Sequence, residues 1–110
     1  MDQTSIDSGK PAAIISYLTI FGVLIAYFMN NEKKNVFAAF HIRQALGLWL
    51  TFFALGLVIS NFDSWMASGS LYLAFGVLFM YGFFTAVAGK TNEVPLVGKF
   101  YQNIFSGLGQ

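Results

Sequence analysis

The chain has 110 residues, of which 56% are hydrophobic and only 10% charged, with 13 phenylalanines, no cysteine and a net charge of +1. A domain this small has too much surface for its volume to hide that apolar content from water, so the composition asks for lipid as solvent. The missing cysteines exclude disulfides, thiol catalysis and thiolate metal sites, and the near-neutral charge argues against a nucleic-acid partner, which shows as a basic face.

Residues 1–10, MDQTSIDSGK, carry two acids and one lysine, which is not the basic start of a cleaved leader, and no clean small-x-small site follows. They read as a short N-terminal tail ahead of a single membrane domain covering 11–110. An uncharged run from Pro11 to Met29 follows. As a helix it reaches roughly 28 Å, close to the hydrocarbon thickness, with Pro11 suited to the first helical turn. A second uncharged run extends from Gln44 to about Ser60, its helix starting upstream, which predicts a span over about 38–60. The third, Leu71 to Ala88, has Ser70 as candidate N-cap and Gly89 as stop, predicting a span over about 70–88. The expected fold is an all-α membrane protein with three transmembrane helices.

The charges orient those spans. Lys33, Lys34 and Arg43 follow span one and Lys90 and Lys99 follow span three, whereas the loop between spans two and three carries only Asp63. The positive-inside rule then makes the basic side cytoplasmic, with the N-terminus outside and the C-terminus inside. Trp65 and Tyr72 would mark the outer interface and Tyr27 the inner one. From 96 to 108, Leu96, Val97, Phe100, Tyr101, Ile104, Phe105 and Leu108 recur at helical spacing with Lys99, Gln102, Asn103 and Ser106 between them. This predicts a C-terminal amphipathic helix lying in the interface.

At the head of span two, His41, Arg43 and Gln44 interrupt an apolar pattern. His41 and Gln44 are three apart and share a face with Phe37 and Leu48, while Arg43 points elsewhere with Ala39 and Gly47. Arg43 can snorkel to lipid phosphates. The alternative is a structural or partner-binding polar cluster in which Glu93 or Glu32 pairs with Arg43 or His41. With one histidine and no catalytic motif, no catalytic, cofactor-binding or metal-ligating set is expected, and no enzyme activity. Each span offers one small-xxx-small pair for helix packing: Gly22 with Ala26, Gly47 with Thr51, Gly82 with Ala86. The spans hold too few polar residues for three of them to enclose a wet channel.

The stretch NNEKKNVFAAFHIRQALGL, with Phe40, His41, Arg43 and Gln44, and the later NEVPLVGKF, with Pro95, Leu96, Val97 and Gly98, resemble a widespread family of small bacterial membrane proteins of unknown function. That family is similar to the inner-envelope import component of the chloroplast protein translocon, and its Bacteroidetes members carry the label import component protein. The resemblance covers roughly residues 11–100 and implies a helical membrane fold and a connection with protein secretion or translocation. The expected role is a small accessory subunit of a larger membrane complex, in contact with lipid, with Phe75, Phe79 and Phe83 as a candidate partner face. A homo-oligomeric channel or transporter is the alternative.

Overall fold

A computed structural model describes residues 3–61 and 65–106. Those residues form five helices, α1 (Gln3–Leu18), α2 (Ile20–Asn30), α3 (Val36–Ile59), α4 (Trp65–Val87) and α5 (Gly98–Ile104), with no strand among them. Two helices, α3 and α4, are long and apolar enough to cross a membrane. They run antiparallel and zip together through aromatic contacts, Trp49 against Phe79 at 4.4 Å and Phe52 against Phe75 at 5.8 Å between ring centroids.

The single helix expected over 11–29 is instead two helices that fold back on each other. Thr19 breaks it: its backbone is extended (φ −153°, ψ 168°) and its hydroxyl accepts a hydrogen bond from the Gly22 N–H at 3.0 Å, capping α2. A β-branched hydroxyl residue suits that N-cap role, because its oxygen satisfies an amide that the helix start leaves orphaned. On reversal, Gly22 of α2 packs directly on the backbone carbonyl of Ile15 in α1. At its far end α2 returns to the start of α3, where the Asn30 side chain holds both backbone groups of Asn35, Oδ1 accepting from its N–H at 2.8 Å and Nδ2 donating to its carbonyl at 3.2 Å.

Asn35 in turn caps α3 by accepting from the Ala38 N–H at 2.9 Å, and its Nδ2 donates to the Ser5 carbonyl at 2.8 Å. Residue 5 therefore lies at the same end of the molecule as the 31–35 turn. This corrects the expected arrangement, which put the N-terminal segment opposite that loop. It also corrects the reading of 1–10 as a tail, since residues 3–10 belong to α1 and Pro11 lies inside that helix. The buried residues of α1 are Gly9, Ala12, Ala13, Ser16 and Tyr17, a stripe of mostly small side chains at 3.6-residue periodicity. That stripe lets α1 sit between α2, α3 and α4 at the centre of one end. Lys10 accompanies α1 to that end, so all six basic residues gather there, with Lys33, Lys34, Arg43, Lys90 and Lys99.

Helix α4 starts at Trp65, five residues before the expected Ser70 cap, and stops as expected at Gly89. Gly89 adopts φ +76°, its N–H donates to the Ala86 carbonyl at 3.2 Å, and the Lys90 N–H donates to Thr85 at 2.8 Å. This pair of bonds is a Schellman closure. Gly89→Ala should lower stability in detergent by about 1–2 kcal/mol, since a Cβ there is strained by the left-handed backbone and would stand 3.0 Å from Ile6 Cγ2. Gly76→Ala, where a Cβ meets nothing within 4 Å, is the matched control and should leave the melting temperature unchanged or raised.

Helix α5 covers only Gly98–Ile104 of the amphipathic segment expected over 96–108. Tyr101 is buried on α3, while Leu96, Phe100 and Ile104 point outward at four-residue spacing. Leu108 and Asp63 lie outside the described residues.

Candidate functional site

The polar residues at the head of α3 face two ways. His41 and Gln44 are buried, as are Ser16 and Asn30. The hub that joins His41 to Gln44 is Tyr17, brought from α1 by the hairpin. Its hydroxyl lies 2.7 Å from His41 Nδ1 and accepts from Gln44 Nε2 at 2.8 Å. His41 Nε2 is 2.7 Å from the Lys90 carbonyl, and Gln44 Oε1 accepts from the Val94 N–H at 2.8 Å.

The two backbone ends fix every proton in this chain. A carbonyl only accepts, so Nε2 of His41 carries the hydrogen, and an amide N–H only donates, so Oε1 of Gln44 faces Val94. Gln44 Nε2 then donates to Tyr17, which leaves the phenol hydrogen free to donate to Nδ1 of a neutral His41. Each donor has one acceptor, and among the described residues no buried side-chain nitrogen or oxygen is left unpaired. Around the imidazole the rings of Phe37, Phe40 and Tyr17 pack edge-on, with centroids 4.9, 5.1 and 5.5 Å away.

Arg43 faces α5. Its Nε donates to Gln102 Oε1 at 2.8 Å, and Gln102 Nε2 donates to the Phe40 carbonyl at 2.9 Å. The expected carboxylate partners are not used: among the described residues neither Glu93 nor Glu32 hydrogen-bonds or ion-pairs with His41 or Arg43. Both acids are exposed, where a carboxylate keeps its hydration, and the neutral acceptors Lys90 C=O and Gln102 Oε1 avoid that desolvation. Glu93 approaches the cluster only through its place in the chain, beside Val94 and against Gly98.

All three small-xxx-small pairs lie at contacts within the chain. Gly22 meets Ile15, with Ala26 buried nearby on α2. Gly47 receives the Tyr101 ring, whose hydroxyl donates to Thr51 at 2.7 Å. Gly82 receives the Tyr17 ring, and Ala86 is buried one turn on. Phe75 is buried and Phe79 and Phe83 are half-buried inside the molecule, so the candidate partner face expected there is core.

Two residues that sequence reasoning missed carry much of this geometry, Tyr17 as the hub and Trp49 at the hairpin tip. Trp49 Nε1 donates to the Ser16 carbonyl at 3.2 Å, one of the orphaned carbonyls at the end of α1. Chemically the relay begins and ends on backbone groups, so it ties the 88–97 loop to α1 and α3. No family model, curated protein or solved structure matches the chain.

Proposed function

We infer that the protein is a small integral protein of the bacterial inner membrane that serves as an accessory subunit of a larger membrane complex. In this reading α3 and α4 cross the bilayer and the end holding all six basic residues faces the cytoplasm, following the positive-inside rule. Both Ser5 and α5 then lie on the cytoplasmic side.

The observation that carries the subunit reading is the division of α4 into two opposite faces. Leu71, Phe75, Gly82 and Ala86 are buried within the chain. Leu73, Val77, Met80, Phe84 and Val87 form a straight outward stripe, all exposed. Such a stripe offers close packing to a partner helix along its whole length, and helix association in lipid is driven by packing. Protein translocation as the partner's work rests on the resemblance of the Phe40–Gln44 and Pro95–Gly98 patches to the import-component family.

The test is extraction in mild detergent after photo-crosslinking from residue 77, with residue 21 on the outward face of α2 as comparison. The subunit reading expects one larger membrane protein joined through residue 77 and absent from residue 21. Crosslinks only to further copies of this chain would replace it with the homo-oligomeric channel or transporter. Crosslinks only to lipid from both positions would overturn it.

A further inference from the structure

The hairpin does not reach through the molecule. Its tip at Thr19 lies near Trp49, the fourteenth residue of the 24-residue α3. With 11 residues, α2 is roughly 16 Å long, about half of a 30 Å hydrocarbon core and so the depth of one leaflet. Toward the basic end, α1, α2, α3 and α4 lie side by side with α5 against α3. Among the described residues only α3 and α4 continue beyond the tip, and Phe53, Leu55, Leu57, Val58, Trp65 and Met66 are exposed around them.

The backbone at the tip is equipped for depth. Helix ends in hydrocarbon are tolerated only when their orphaned groups find partners. Here Thr19 satisfies the Gly22 N–H, and Trp49, reaching over from α3, satisfies the Ser16 carbonyl. The outward face of α2 is apolar throughout, with Phe21 and Phe28 each 70% exposed and Leu24 and Ile25 between them. This is a surface for acyl chains.

We propose that the chain is a one-leaflet wedge that partitions to membrane whose basic-side leaflet is the convex, expanded one. The inference rests on the membrane placement above but not on the partner. A helix with its side chains is about 10 Å across, so two additional helices displace roughly 160 Å² of lipid in one leaflet and none in the other. Apolar helix inserted into a single leaflet makes binding sensitive to curvature, because a convex leaflet has looser headgroup packing to fill. The wedge is built in by Thr19, Gly22 and Trp49 rather than induced by a ligand.

The experiment reconstitutes the full chain into vesicles of uncharged lipid, sorted into small and large diameters. Lipid without net charge keeps the basic residues from choosing the orientation. Because the chain has no cysteine, single Glu32→Cys and Asn61→Cys variants report which end faces outward through a membrane-impermeant label. The ratio of basic-end-outward to basic-end-inward molecules should be several-fold higher in the small vesicles. Gly56→Phe with Gly69→Phe widens the narrow half at positions where a Cβ meets nothing within 4 Å, and should flatten that dependence. Protein that floats with the vesicles but shows the same ratio at every diameter overturns the wedge and leaves the membrane placement standing. A widened variant that keeps the full dependence also overturns it, since shape would not be the cause. Protein that fails to float with vesicles overturns the membrane placement and the wedge together.

Discussion

Gly22→Val should break the α1–α2 hairpin, and it should cost more than the same change at Gly47 or Gly82. At Gly47 and Gly82 an added side chain meets the rings of Tyr101 and Tyr17, which can rotate away at the expense of their own contacts. At Gly22 it meets the Ile15 carbonyl, part of a helix backbone that cannot yield without α1 moving. Overpacking that side chains cannot absorb lies at the upper end of its range, about 3 kcal/mol. The released segment has an alternative available to it, one continuous apolar helix over 11–29 long enough to cross the bilayer. That helix would carry the N-terminal segment to the opposite side. Labelling of Ser8→Cys and Glu32→Cys in cells separates the two states. The native hairpin exposes both positions on one side, while the Gly22→Val chain should expose position 8 on the other side or be degraded. Opposite-side labelling in the otherwise native chain would refute the hairpin itself.

Hydropathy could not see that break, because a single threonine barely changes the average of a 19-residue apolar window. The local chemistry was there to read: Thr19 followed three residues later by Gly22 is an N-cap beside a site of close approach. The two long helices were legible because length and composition alone define them. The end of α4 was legible as well, since Gly89 carries its own backbone signal. At the polar corner, three-residue spacing correctly placed His41 and Gln44 on one face. Their partners were not legible, for two different reasons. Tyr17 belongs to a segment whose direction the unbroken-helix reading reversed, and the Lys90 and Val94 groups are backbone, which no side-chain pattern announces. For Arg43, opposite charge pointed to Glu93 and Glu32, whereas its Nε donates to the Gln102 side-chain oxygen, one of the polar gaps in the C-terminal stripe.

This arrangement also says why one end of a nearly uncharged molecule needs so many polar side chains. A hairpin that enters and leaves by the same face has to be held down. Asn30 and Asn35 clamp its return turn, Trp49 holds its tip, and the Tyr17 relay fastens its side to α3 and the 88–97 loop. The Asn35–Ser5, Trp49–Ser16 and Tyr17–His41 bonds each join segments distant in sequence, so losing one should loosen several elements together.

Tyr17→Phe is the sharpest test of that cooperation, because one missing oxygen strands two partners. The ring still fills its slot on Gly82, but Gln44 Nε2 loses its acceptor and His41 Nδ1 its donor. An unsatisfied buried group costs about 1–3 kcal/mol, whereas single polar contacts in membrane proteins average about 0.6 kcal/mol, so a total loss of roughly 2–4 kcal/mol is expected. Gln44→Leu alone should also destabilise, by stranding the Val94 N–H and leaving the Tyr17 hydroxyl with one partner fewer. In the double variant the two losses should fall short of their sum by more than about 0.5 kcal/mol, the signature of residues acting through one network. Amide exchange at Val94 and along the 88–97 loop should rise in both single variants, although among the described residues the Tyr17 hydroxyl hydrogen-bonds only His41 and Gln44 and no group of the loop. Additive losses with unchanged exchange at Val94 would mean that the relay is only a row of separate contacts, and that the loop is held by something other than Tyr17.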